Sequence, residues 1–162
     1  MSVAFRRDSD EEHREPRPDL PIPAGPNLVT LRGLARITER ATYWQSRLET
    51  ALRSQADDDA VKEIRRNLRY WQARRATAQV APVADGGVVA FGTRVTLIRD
   101  DGCQQLIDLV GDDEADPGEG RIAFGSPLAR AIMGLMAGET ATIRGGGKTA
   151  EIEVAAITPI PD

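Results

Sequence analysis

The sequence predicts an α+β protein: an N-terminal antiparallel α-helical coiled-coil hairpin followed by a small antiparallel β domain with one helix. Three observations carry this. From Thr30 to Val80 apolar residues recur at alternating threes and fours, the seam of two packed helices. From Gly86 onward the texture is strand-like, with short apolar runs separated by Gly- and Asp-rich turns. Between those runs, "GSPLARAIMGLMAG" opens with a good cap, Ser126, and a favoured first residue, Pro127.

Taken in order, residues 1–26 read as a flexible tail. They are charged and then proline-rich, "REPRPDLPIPAGP", and proline removes donors and disfavours helix before it. His13 lies there with no partner at metal-ligand spacing, so it receives no role.

Residues 27–81 form the predicted hairpin. Its first seam is Leu34, Ile37, Ala41, Trp44, Leu48 and Ala51; its second is Val61, Ile64, Leu68, Trp71, Arg75 and Ala78. The break, "SQADDDA", is short enough to force the helices antiparallel, with a tip near 55–60. A constant antiparallel register then pairs Leu52 with Ile64, Leu48 with Leu68 and Trp44 with Trp71, so the tryptophans share one level. Roughly 25 residues per arm at about 1.5 Å each project about 35–38 Å.

Residues 82–162 form the predicted second domain. "GVVAFGTRVTLI" and "QQLIDLVG" flank the turn "RDDGC" as a hairpin, and "RIAF" is a further short strand. The Ser126-capped helix is expected to run to Gly138, burying Leu128, Ala131, Ile132 and Leu135. "ETATIR" and "TAEIEVAAI" pair across "GGGK", which lacks the helix a phosphate loop requires and reads as a turn.

Bulk composition narrows the function classes. One cysteine, Cys103, excludes an internal disulfide framework and a cysteine zinc site, and fits a reducing compartment. No apolar run approaches the roughly 20 residues of a membrane helix, and the N-terminus is too polar for a secretory signal, so a cytoplasmic protein is expected. The formal charge of -4 is uneven. Residues 30–80 carry eleven Lys and Arg against six acids, whereas residues 81–162 carry six against thirteen. A basic hairpin and an acidic second domain suit different partners. Arg36, Arg40, Arg47, Arg65, Arg66 and Arg69 are candidates to face nucleic acid or acidic walls, or are simply solvated faces. No Ser/His/Asp or Cys/His arrangement exists after residue 26, so no independent enzyme is expected.

"SPLARAIMG", preceded by "LVGDDEAD", resembles the C-terminal domain of the bacterial GreA/GreB transcript-cleavage factors. "TLRGL" and "AQV" match that family's hairpin boundaries, and the resemblance covers about residues 27–157. It implies an FKBP-like second domain that docks on RNA polymerase at the mouth of its secondary channel, while the hairpin enters the channel. Acids at the tip would then help hold a magnesium ion bound by the polymerase, so that the polymerase cleaves backtracked RNA. Magnesium takes hard oxygen ligands and keeps water and phosphate in its shell, which is why carboxylates are needed there.

On that resemblance Asp57, Asp58 and Asp59 are the candidate tip acids. Asp113, Glu114, Asp116, Ser126, Pro127 and Arg130 are the candidate polymerase-binding residues. The chain would hold no metal or cofactor of its own, meet nucleic acid only within the transcription complex, and act as a monomer. Two departures keep alternatives open. The family's active tip carries two acids three residues apart, whereas here three Asp are consecutive and Glu63 follows four residues after Asp59. The hairpin is also shorter by roughly two turns per arm, about 11 Å. The triplet is therefore either a helix cap or a metal-directed site. The runner-up functions are a non-cleaving channel regulator, resembling the nucleoside diphosphate kinase regulator, and an interaction module for another protein. Prolyl isomerase activity is not expected, because the domain has only Phe91 and Phe124 to line an aromatic pocket.

Overall fold

In a computed structural model, residues 17–161 are described. The predicted hairpin comprises α1 (Leu31–Arg53) and α2 (Asp58–Thr77). At 1.5 Å per residue, α1 alone is about 34 Å long. Thr30 caps α1 by accepting from the Gly33 amide at 2.9 Å. The apical turn is built by α1 itself. Gln55 sits at φ 53, the Ala56 amide donates back to the Ala51 carbonyl at 3.0 Å, and Ala56 packs beside Ala51. That is a left-handed helix stop with its apolar clasp.

The hairpin core is thin. Ala51, Val61 and Ile64 are buried, with Trp44, Leu48 and Ala56 packed against them. Two expectations fail here. Leu52 is half exposed, and Ala51 takes the inward place. Arg75 is exposed, while Arg74 is buried at 2%. The rings pair as Tyr43 with Trp44 and Tyr70 with Trp71, each edge-on, so among the described residues the tryptophans form no ring pair with one another. Each indole meets the tyrosine beside it in sequence instead.

The base of the hairpin is closed by a feature the sequence did not suggest. β1 (Leu28–Val29) pairs in parallel with β2 (Gln79–Val80), tying the entry of α1 to the exit of α2. Nor is the segment before β1 a free tail where it is described. Arg17, Pro18 and Asp19 contact Glu63, Arg66 and Arg69 of α2. His13 lies outside the described residues.

The second domain is a five-stranded sheet in the order β5 (Arg121–Ala123), β4 (Gln104–Val110), β3 (Thr93–Arg99), β7 (Lys148–Pro159), β6 (Thr140–Gly145). β3 and β4 form the first hairpin; β6 and β7 form the second. β7 lies beside β3, and the sheet is antiparallel except that β5 pairs in parallel with β4. The parallel pair corrects the all-antiparallel expectation. A Pro117–Glu119 helical turn lies between the two strands, and β5 returns alongside β4 in the same direction.

The helix α3 (Pro127–Ile132) is shorter than expected. After Met133 the chain turns through Gly134 at φ 81. The Gly134 amide then donates to Val89, and the Val89 amide donates to Leu135. Those two bonds hold the Gly134–Leu135 turn against the extended backbone at Val89, so the helix does not continue to Gly138. Ala129 and Ile132 are its buried residues, with Leu128 and Leu135 partly covered. They pack on Val95, Leu97, Ile107, Leu109, Ile152 and Val154, the one substantial core among the described residues.

Candidate functional site: the apex and the acidic joint

The apex is made by the start of α2. Asp57 is its N-cap: the carboxylate accepts from the Ala60 amide at 2.7 Å. Asp58 and Asp59 occupy the first turn, where exposed amides and the helix dipole favour negative charge. All three are exposed. Glu63 does not join them. It faces Arg17 and Arg66, each at 3.5 Å, and Asn67 at 3.2 Å. Among the described residues no three His, Cys, Asp or Glu are gathered so as to hold a metal ion. The apex is thus an exposed acidic point.

At the other end, the loop after β4 joins the two parts of the molecule. Gly111 begins it, and a Cβ there would meet the Leu28 carbonyl oxygen at 2.4 Å, so the loop leaves β4 with its backbone hard against β1. Asp113 then takes the base of α2. Its Oδ2 accepts from Arg74 Nε at 2.6 Å, and its Oδ1 accepts from the Tyr70 hydroxyl. Arg74 completes its bonds on Asn27 Oδ1 at 2.7 Å and approaches Asp112 at 3.7 Å. Glu114 takes the base of α1, accepting from Thr30 Oγ1 at 2.6 Å and from Arg32 Nε at 2.7 Å. Two consecutive acids therefore hold the two helices separately.

Burial makes this joint strong. The Arg74 and Asp113 side chains are 2% and 5% exposed, and Glu114 is 2% exposed. A buried ion pair with its remaining lone pairs and protons satisfied tolerates loss of neither partner. No buried side-chain nitrogen or oxygen among the described residues lacks a partner. Burial, the hydrogen bond to Asp113 and that carboxylate's charge push the Tyr70 phenol well above its ordinary range.

The other residues singled out from the sequence lie on the rim of the second domain. Asp116 pairs with Arg121 at 3.3 Å, Ser126 caps α3 on the Ala129 amide, and Pro127 and Arg130 are exposed. Asp113 and Glu114 lie together with them in sequence but face inward. Arg36 and Arg40 line a shallow trough on α1 with Arg32, Glu39 and Tyr43. Arg66 and Arg69 are instead engaged by the N-terminal segment. A cleft of about 310 Å³ lies between α1 and the sheet, lined by Leu31, Val83, Phe91 and Ile160 among others. Phe91 is the aromatic side chain among its lining residues. Cys103 is exposed, and its thiol is pushed up by a hydrogen bond to Asp101 and by that carboxylate's charge, which disfavours the thiolate.

Sequence reasoning missed Arg74, Tyr70, Asn27 and Arg32. The signal for Arg74 was present: from Trp71 a helical face continues at either the third or the fourth residue, and both are arginine.

Residues 84–159 match the family described as transcription elongation factor, GreA/GreB, C-terminal. The chain is similar to the transcription elongation factor GreA of Methylococcus capsulatus, 33% identical over 139 residues, covering 80% of this chain and 87% of that one. It is 37% identical over 122 residues to the GreA of Ralstonia nicotianae, covering 70% and 77%. The GreA of Thioalkalivibrio sulfidiphilus is 32% identical over 125 residues, covering 72% and 79%. Among solved structures, GreA factor homolog 1 of Thermus thermophilus aligns over 83% of this chain and 99% of its own, at 18% identity and a TM-score of 0.40.

Proposed function

Because this chain belongs to the GreA/GreB family of transcription elongation factors, we propose that it binds RNA polymerase at its secondary channel and presents the acidic apex inward. The observation that supports this best is geometric. Exposed Asp57, Asp58 and Asp59 stand at the far end of a helix pair about 34 Å long, and buried acids fix the near end. The rim residues Asp116, Ser126, Pro127 and Arg130 form the docking surface. Asp113 and Glu114 serve docking by setting the angle at which the hairpin leaves it.

The division of labour follows from the carboxylates. Lacking a gathered ligand set, the apex acts on a magnesium ion that the polymerase and RNA phosphate already hold. The aspartates supply hard oxygens and orient water, and catalysis remains the polymerase's. No helix among the described residues is long and apolar enough to cross a membrane, and the factor acts in solution as a monomer. Nucleic acid is met within the transcription complex.

The experiment is cleavage of RNA in backtracked complexes with the wild type and with a D57N/D58N/D59N triple variant. Asparagine keeps the cap and removes the charge. The variant should copurify with core polymerase as well as the wild type and shorten the RNA poorly. Equal cleavage by both would acquit the aspartates. A second reading, a channel regulator without cleavage activity, is favoured by the engagement of Asp57 as a cap. It predicts polymerase binding with no shortened RNA even from the wild type.

A further inference from the structure

Residues 17–26 lie along α2 and run in its direction. Arg17 stands 3.5 Å from Glu63, the Pro18 carbonyl accepts from Arg66 Nε at 2.7 Å, and Asp19 accepts from Arg69 Nε at 3.0 Å and from its Nη2. The two ends of this strap are held differently. Asn27, at its root, is 5% exposed and donates to the Arg74 carbonyl at 2.8 Å and to Thr77 Oγ1 at 3.1 Å. Toward the apex the contacts are exposed: Asp19 and Arg69 are 68% and 56% accessible. Between them lies Gly25, at φ 89 and with open space around it. Prolines 18, 21, 23 and 26 keep the segment extended and deny it a ladder of its own.

The strap touches the last two of a line of four cations. Lys62, Arg65, Arg66 and Arg69 fall at helical spacing on one flank of α2, and all but Arg66 are exposed. A guanidinium fork binds carboxylate and phosphate oxygens by the same geometry. Asp19 on Arg69 and the Pro18 carbonyl on Arg66 are therefore oxygens standing where phosphate oxygens fit. Exposed ion pairs are weak and screened by salt. A polyanion engaging several cations at once outcompetes them.

We propose that residues 17–26 are a displaceable strap that occupies Arg66 and Arg69 in cis, and that a phosphodiester backbone takes those arginines when the strap swings out about Gly25. The buried root keeps the strap attached and ready to return. The inference rests on the family reading, which brings the hairpin near a transcript, but it is tested without polymerase and stands or falls separately from cleavage.

The test measures binding of a labelled single-stranded oligouridylate by the full chain and by D19A, R69A and the D19A/R69A double variant, at fixed low salt. D19A should bind about threefold tighter, because the competent state no longer competes with the strap. R69A should bind more weakly than wild type, and adding D19A to it should change nothing further. A gain from D19A that persists in the R69A background would be a general charge effect and would overturn the proposal, as would no gain at all or no measurable RNA binding by D19A. Duplex DNA and polyglutamate complete the design. A gain confined to RNA points to a transcript, and one shared with DNA points to the backbone in general; both support the proposal. An equal gain for polyglutamate would assign the surface to acidic protein and sink it.

Discussion

Arg74 Nε lies 2.6 Å from Asp113 Oδ2 with both side chains almost wholly buried, across the boundary between hairpin and sheet. The pair is 39 residues apart in sequence, yet it fixes how the longest feature of the molecule is aimed. Removing Asp113 strands a buried guanidinium with only Asn27 and a distant Asp112. D113A is expected to lower the unfolding free energy by about 3 kcal/mol, as for a buried ion pair broken on one side. Urea unfolding would measure it, and a loss under about 1 kcal/mol would mean the joint is looser than its geometry.

Gly33 lies in the first turn of α1 against the other acid of the joint. A Cβ added there would meet Glu114 Oε2 at 2.7 Å. Alanine in a helix normally gains about 1 kcal/mol over glycine. Here G33A should destabilise instead, since the carboxylate it strikes is buried and tethered by Thr30 and Arg32. In an E114A background the same substitution should recover its ordinary benefit. Thermal melts of the four proteins give the coupling, and additivity within about 0.5 kcal/mol would refute the clash.

These two contacts mark where the sequence stopped being legible. Helical period placed Ile37, Ala41, Val61, Ile64 and Leu68 on a seam because a 3.6-residue repeat reports which face a residue is on. It does not report what that face meets. At Trp71 the repeat allowed either Arg74 or Arg75, and Asp113 on the other domain decided. A run such as "GDDEAD" reads as solvated, since carboxylates are seldom buried unless paired, and their partners are 39 to 84 residues away. The strap was hidden for the same reason: its prolines announce an extended chain but not the arginines it lies on. Ser126 and Asp57 were legible because a cap and its target are three residues apart.

Tyr70 gives the joint a pH signature. Its phenol is pushed up in the folded protein by burial, by its bond to Asp113 and by that charge, whereas an unfolded tyrosine titrates near pH 10. A folded value above the unfolded one means the stabilisation is complete below about pH 10 and drains away as pH rises beyond it. Wild type should therefore exceed Y70F in stability at neutral pH, and the gap should close in alkali. Denaturant midpoints of both proteins across that range test this; a gap that widens above about pH 10 would contradict the assignment.

The apical turn holds Gln55 in the left-handed region at φ 53, where a side chain costs roughly 1 kcal/mol and glycine does not. Q55G should stabilise the protein by about 0.5–1 kcal/mol, less the extra entropy glycine brings to the unfolded chain. A rise of a few degrees in the thermal midpoint is the expected reading. A fall would show that the clasp of Ala56 on Ala51 does not require this turn.

Asp57 separates the two roles the apex can have. Its Oδ1 caps α2 at 2.7 Å from the Ala60 amide, so a neutral side chain that keeps the acceptor should preserve the helix while losing the charge. D57A is expected to cost about 1 kcal/mol of stability, and D57N only a few tenths. Asp58 and Asp59 lie in the first turn, where the helix dipole favours their charge, so D58N should lower stability by less than about 1 kcal/mol. Set beside cleavage, the pattern is diagnostic. If the carboxylate charge is what the apex delivers, D57N should fold like wild type and cleave poorly, whereas a cap-only role makes cleavage follow stability and leaves D57N fully active. A D57N protein as stable and as active as wild type would reduce Asp57 to a helix cap.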